Sequence, residues 1–452
     1  MTPRVADTPL RRIARSSAAF LGSSFARAAL GFLLSLVIGR GLGAERFGQW
    51  VLCTAWASLL TVVADLGFGV LLTRDGARAS APVEQLVGGA LTARLVLVVP
   101  LGALVYAGAG WIATDAGSIA GLRAAALLGV VGAAYGCFSA ILVSQPRWLP
   151  IVLGVDTAWL AVQVAASSLI VGPNWSGRSG GVVEFGGAVG PDGQLVALIV
   201  LATAVQLAQI ATALVLWRRV FAERSTAGQR REPLASLLRR ALPFAGAGIV
   251  ANLDLRVAPL MLGALSTSSA VGLYSAASRF GRFAAFGPQA VFGGALPVLS
   301  REFEHDRQAT SRVFHKLDLS LLGFGALTAA GYIVLAPLLL RLAYGPAFTA
   351  AAPALMWIGA GLIPALSNSS RKIALYAAGG ESTVVRWSAV GLIVQAAAAA
   401  MLIPMLGATG AAVGVFIGEA AIWLPLRRTS AGRHQSYAGS GFTRTTDPAR
   451  SA

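Results

Sequence analysis

The sequence predicts an all-α polytopic membrane protein, about twelve transmembrane helices in two six-helix lobes. Three observations predict it. The 452 residues are 56% hydrophobic and 12% charged, with a mean hydropathy of +0.70, whereas a soluble domain carries about 25% charged residues. The apolar residues fall in long continuous runs, unlike the short alternating segments of a membrane β-barrel. The charges, 36 basic against 19 acidic, collect in strips between those runs. A net charge of +17 raises nucleic acid as a partner. Strips between apolar runs form no single basic face, so no nucleic acid is expected.

A spanning helix needs about 20 apolar residues. Twelve runs qualify: 17–42, 47–72, 87–111, 118–143, 151–172, 194–217, 241–263, 272–297, 316–340, 352–370, 387–405 and 408–427. The first follows "PLRRIARSSAAFLG", where Arg11 and Arg12 faintly resemble a twin-arginine export signal. The run is too long for a signal peptide, contains Arg27 and precedes many more spans, so it reads as an uncleaved first span.

Orientation follows from the basic residues, all arginine except Lys316 and Lys372. With the N-terminus in the cytoplasm, 26 of them lie in cytoplasmic tails and loops and three (Arg46, Arg178 and Arg341) outside. Basic residues favour the cytoplasmic side, so both termini are expected there, with an even number of spans. The expected organisation is a cytoplasmic N-tail (1–16), an N-lobe (17–217), a basic cytoplasmic linker (218–240), a C-lobe (241–427) and a disordered C-tail (428–452) attracted to anionic headgroups. The largest outer loop, 173–193, is glycine-rich.

The halves echo each other. "LGAERFGQW" (42–50) joins spans one and two, and "LSTSSAVGLY" (265–274) joins spans seven and eight. Each short outer turn ends in an apolar residue, Gly, any residue and an aromatic. Paired repeats are a hallmark of transporters, whose substrate site lies near the midplane between them.

Seven arginines lie inside spans: Arg27, Arg40, Arg94, Arg123, Arg256, Arg279 and Arg282. Each costs about 2.5–3.5 kcal/mol at the bilayer centre on insertion scales, so such residues face a bundle interior or a wet cavity. Arg40 and Arg123 lie near outer helix ends and can snorkel. Arg94 matches Asp65 in depth, an ion-pair candidate. Asp254 matches Arg256 and Arg279 and is expected to neutralise Arg279. Glu419 is the evident acidic partner for Arg282. Ser275, Ser278, Arg279, Arg282 and Gln289 form one stripe of a helix, Ser23, Ser24, Arg27, Gly31 and Ser35 another, and Asn252 and Arg256 stand four apart. Helix packing explains the serines; unpaired arginines call for a hydrated cationic cavity. A guanidinium is a multidentate partner for phosphate. Arg27, Arg256, Arg279 and Arg282 are therefore the candidate substrate-binding residues. Asp65, Arg94, Asp254 and Glu419 are candidates for structural pairing or for coupling to a proton or sodium ion.

No phosphate-binding glycine loop with its lysine is present, which argues against ATP hydrolysis in this chain. Cys53, Cys137, His305, His315 and His434 are dispersed, so no metal centre is expected. No catalytic set stands in an outer loop, and the chain does not read as an enzyme. No cofactor is expected beyond a coupling ion.

The words "GRGLGAERFGQW" (39–50), "ADLGFGVLLTR" (64–74), "AVGLYSAASRF" (270–280), "YGPAFTAAAPAL" (344–355) and "GATGAAVG" (407–414) resemble the polysaccharide transporter family. These are Wzx-type oligosaccharide flippases of the MATE-like superfamily. The resemblance, over about residues 17–427, implies a V-shaped pair of six-helix lobes. It further implies movement of a polyprenyl-diphosphate-linked oligosaccharide across the bacterial inner membrane by alternating access through a cationic cavity. A polysaccharide polymerase and glycosyltransferases are partners in such biosynthesis. The family's cavity is typically cationic, which the arginines match by position in spans. Asp254 sits where many members have an acidic residue. Lysines usual in such cavities are absent. Two rivals stay open: an ion-coupled small-molecule antiporter of the same fold and a membrane-embedded enzyme of polymer synthesis.

Overall fold

A computed structural model describes residues 9–78, 83–113, 115–145, 148–172, 191–221, 234–305, 307–377 and 380–439. The described residues form helices and no strand. In order these are α1 (Pro9–Asp65), α2 (Phe68–Arg78), α3 (Val83–Ala107), α4 (Ala109–Ile112), α5 (Ala116–Val143), α6 (Leu149–Val171), α7 (Pro191–Phe221), α8 (Leu234–Leu265), α9 (Ser268–His305), α10 (Arg307–Tyr344), a 3-10 turn (Pro346–Ala351), α11 (Ala352–Ala377), α12 (Glu381–Leu406) and α13 (Ala408–Gly439).

Nine helices among the described residues are long and apolar enough to cross a membrane, or ten if the bent pair in α8 counts as one span. The expected count of twelve is not reached on this criterion among the described residues. Run 17–42 and most of run 47–72 lie in α1, which is two helices joined across a kink at Gly43 (φ 76°, ψ 174°), and the end of the second run enters α2. Its 57 residues are more than twice the roughly 20 that one crossing needs, so the kink at Gly43 separates two passes. α9, which carries Arg279 and Arg282, is not among the nine. At the far end, α13 continues to Gly439, past the expected end at residue 427. Most of loop 173–193 and of linker 218–240 lies outside the described residues.

α1 is the axle of the N-terminal helices. It packs on α5 and α6, while α3 and α7 cover α5. Among the C-terminal helices, α11 packs on α10 and α13, and α12 on α13 and α8. α1 and α9 join the two groups along a seam. At the expected outer end the seam is tight, with Gly48 against Gly272. Along the rest it is aromatic: Phe32 meets Phe280 at 5.3 Å and Phe283 at 5.6 Å, and Phe25 meets Phe286 at 5.7 Å. Ser35 and the Tyr344 hydroxyl share a buried hydrogen bond of 2.8 Å between α1 and α10. One buried cluster draws Ile38, Phe47 and Trp50 together with Leu262, Val271, Tyr344 and Phe348, so that end is closed by a core common to both groups.

Candidate functional site

Three of the four candidate arginines meet where α8 and α9 approach. Arg282 is exposed and donates to Ser278 Oγ at 3.2 Å, one turn back on α9. Arg279 is half-buried, and its Nε is buried without a hydrogen-bond partner. Arg256 on α8 donates from Nη1 to Asn252 O at 2.9 Å and to Asn252 Oδ1 at 3.3 Å. Arg282 lies within electrostatic reach of Arg256, Arg279, Tyr274 and Tyr344. None of the three forms an ion pair among the described residues. Ser275 Oγ, four residues before Arg279, is a second buried group without a partner. The α9 stripe thus presents two unsatisfied polar groups and two positive charges, to which Arg256 of α8 adds a third. Gln289, the stripe's last member, has a side chain outside the described residues.

The expected neutralisation of Arg279 by Asp254 does not form. Successive residues of an α-helix turn by about 100°, so Asp254 and Arg256 point to opposite faces of α8. Asp254 is turned away from the arginines into a cavity of about 220 Å³ lined also by Val250, Lys372, Tyr376, Gln395 and Glu419. The expected partnership of Glu419 with Arg282 is likewise corrected. Glu419 accepts a hydrogen bond from Asn368 Nδ2 at 2.7 Å and lines this second compartment. Equal depth along the membrane normal put these acids beside the arginines; depth alone is blind to which face of a helix a side chain takes.

Arg27 stands on α1, among the N-terminal helices, within electrostatic reach of Asp156 on α6 and Tyr135 on α5, whose hydroxyl is hydrogen-bonded to Asp156. Neither Asp156 nor Tyr135 stands among the sequence-derived candidates. A tyrosine and an aspartate on different spans leave no local spacing signal.

Arg94 and Asp65 form an ion pair between α3 and α1. Arg94 is 2% exposed and also donates from Nη1 to Ala133 O at 3.1 Å. Asp65 caps α2 by accepting from Gly69 N at 3.1 Å. Arg40, expected to snorkel, instead donates from Nε to Ala343 O at 2.6 Å and from Nη2 to Leu342 O, closing the carbonyl end of α10, where a cation also complements the helix dipole. Arg123 is exposed over the Tyr106 ring, 5.4 Å from its centre. Among the described residues no group of three or more His, Cys, Asp or Glu could hold a metal ion.

Long apolar helices, a closed core shared by both groups and an arginine cluster between helices define a polytopic α-helical membrane protein. The chain belongs to the family described as polysaccharide biosynthesis protein, which matches residues 13–303. No curated protein sequence matches it. Its fold is similar to that of a multidrug resistance MATE family transporter of the MOP superfamily in an inward-facing conformation, at 14% identity and a TM-score of 0.65, covering 94% of this chain and 100% of that one. It is also similar to the lipid II flippase MurJ in an inward closed conformation, at 12% identity and a TM-score of 0.68, covering 90% of this chain and 86% of that one. A MOP superfamily transporter from Pyrococcus furiosus, described as having a binding pocket of reverse polarity, matches at 14% identity and a TM-score of 0.56, covering 95% of this chain and 96% of that one. At these identities the likeness is one of fold.

Proposed function

We propose that the protein flips a polyprenyl-diphosphate-linked oligosaccharide across the bacterial inner membrane for polysaccharide biosynthesis. Arg256, Arg279 and Arg282 hold the diphosphate, with Arg27 reaching it from the N-terminal helices, while the polyprenyl chain stays in lipid. The observation that carries this reading is the cluster itself. Three guanidinium groups without a carboxylate partner among the described residues, beside the orphaned Arg279 Nε and Ser275 Oγ, are poised for an anion rich in acceptor oxygens. A buried donor left unmade costs about 1–3 kcal/mol, a cost that a bound phosphate oxygen removes. The family's role in polysaccharide biosynthesis supports a glycan substrate, and a fold similar to that of a lipid II flippase supports movement of a lipid-linked anion.

In this reading residues 17–217 and 241–427 act as two lobes joined by the basic linker 218–240. Both termini face the cytoplasm, and the polymerase and glycosyltransferases of the same polysaccharide act on either side of the step. The chain moves its substrate without chemical change. Asp254 and Glu419 are the carboxylates placed for a coupling proton or sodium ion, since Asp65 is engaged by Arg94. The fold favours an ion-coupled small-molecule antiporter as the second reading.

The test is surface-glycan export in a strain lacking the chromosomal copy. Arg279→Gln and Arg282→Gln, each inserted at normal levels, are expected to abolish export and to accumulate lipid-linked oligosaccharide on the cytoplasmic leaflet. Normal glycan with altered drug susceptibility would establish the antiporter reading instead.

A further inference from the structure

α8 is two pieces with different allegiances. The segments Phe244–Val250 and Asn252–Leu265 are bent by 41°. The second piece faces the C-terminal helices through Asp254, whose cavity Gln395 of α12 and Glu419 of α13 also line, and joins the closed outer seam, where Leu262 lies in the shared core and a Cβ on Gly263 would stand 2.5 Å from Leu52 Cδ1 of α1. The beginning of α8 is seated on the N-terminal helices instead. A Cβ on Gly89 of α3 would lie 2.4 Å from Leu237 Cδ1, and one on Gly67, between α1 and α2, would lie 2.5 Å from Ala241 O. Leu237 and Ala241 are fully buried in a cluster with Phe68, Leu71, Leu86 and Val87. By the charge-derived orientation this contact closes the cytoplasmic end.

At its edge stands a buried acid with no part in the arginine cluster. Asp75 on α2 is 2% exposed. It accepts from Arg74 Nε at 2.8 Å and is ion-paired with Arg240 on the first turns of α8. The Arg74 guanidinium carbon also lies 5.0 Å from the centre of the Phe244 ring. Among the described ion pairs, Arg94–Asp65 joins α3 to α1 and Arg371–Asp318 joins α11 to α10, each within one group of helices. Asp75–Arg240 alone crosses between the groups.

We propose that Asp75, held between Arg74 and Arg240, is the latch that keeps the first half of α8 closed over the cytoplasmic mouth. Opening that mouth to a substrate made on the cytoplasmic side parts Asp75 from Arg240. That leaves a buried carboxylate to hydrate, so the latch opens only when water enters the mouth. The physiological meaning rests on the flippase reading; the latch does not.

The test uses the full chain in its native membrane, with Cys53 and Cys137 replaced by alanine and the pair Gly89→Cys/Leu237→Cys added. The expected result is oxidative cross-linking of α3 to α8, loss of glycan export in the cross-linked protein and recovery on reduction. Adding Asp75→Asn should lower the cross-linking rate about tenfold, as expected for loss of one charge-assisted hydrogen bond. The swap Asp75→Arg/Arg240→Asp, which keeps one acid between two arginines, should restore it. Should Asp75→Asn fail to accumulate, Arg240→Gln is read against the same swap. Cross-linking that ignores both substitutions, or a cross-linked protein that still exports glycan while Arg279→Gln and Arg282→Gln abolish export, overturns the latch. Cross-linking that depends on Asp75, with glycan unchanged in every variant including the arginine substitutions, overturns the flippase reading and leaves the latch standing.

Discussion

Gly48 and Gly272 occupy each other's only free space. A Cβ on Gly48 would lie 1.7 Å from Ser268 O and 2.8 Å from Gly272 N; a Cβ on Gly272 would lie 1.9 Å from Ala44 O and 3.1 Å from Gly48 N. The carbonyl each glycine meets stands four residues before the other glycine. Such reciprocity is what a local two-fold axis between α1 and α9 produces. These are also the glycines of the two echoing words at the ends of residues 42–50 and 265–274. The repeat legible in the sequence is thus a symmetric contact, in which small residues let two backbones touch.

A first prediction concerns this contact. Gly48→Ala and Gly272→Ala must each push α1 and α9 apart, because the obstacle is backbone and cannot rotate away. Each is expected to destabilise the protein by about 1–3 kcal/mol, as overpacking does. Once one methyl has separated the helices, the second finds room, so the double substitution should cost much less than the sum of the singles. Thermal melting in detergent measures all three.

Arg282 and Arg279 should differ from lysine in kind. Arg282→Lys keeps the charge but loses the planar fork that meets two phosphate oxygens together. Its expected outcome is export reduced but present, against none for Arg282→Gln, at equal protein levels. Equal export from all three versions would remove Arg282 from the site.

The Arg94–Asp65 pair is expected to be structural. Asp65→Asn leaves the buried Arg94 charge without its partner, at an expected cost of about 3 kcal/mol, the low end for a broken buried pair because the Asp65 side chain is 39% exposed. The double change Asp65→Leu/Arg94→Met, which removes both charges, should regain most of that stability. Chemical denaturation in detergent gives the comparison.

Two aspartates of the C-terminal helices should behave oppositely. Asp318 Oδ1 accepts from Ser367 Oγ at 2.9 Å and Ser370 Oγ at 2.8 Å, and its Oδ2 pairs with Arg371 at 2.5 Å, tying α10 to α11. Asp318→Asn is expected to cost about 3 kcal/mol or more by leaving Arg371 uncompensated. Asp254 makes no such bond, and Asp254→Asn should change stability by less than about 0.5 kcal/mol, the range of substitutions away from packed or bonded features. Melting curves of the two variants decide it. If Asp254 serves coupling, export falls while the melting temperature stays.

Composition and the spacing of apolar runs determined by themselves that this is an all-helical membrane protein. Burying the backbone in lipid leaves few alternatives, and arginine is too costly there to be placed without a reason. The stripe of Ser275, Ser278, Arg279 and Arg282 was legible because it is a property of one helix and its 3.6-residue period. So was the Arg94–Asp65 match, since two charges of equal depth on neighbouring spans have few other partners. What lies between helices was decided only by tertiary structure. Asp254 and Glu419 share their depth with the arginines yet face a different compartment, because rotation about a helix axis is set by packing and not by position along the chain. Asp156 and Tyr135 beside Arg27, and Asp75 between Arg74 and Arg240, depend in the same way on which helices become neighbours. The two glycines show both sides of this. Their words could be matched in the sequence, but that they touch each other, and close the bundle by touching, is a fact of the fold.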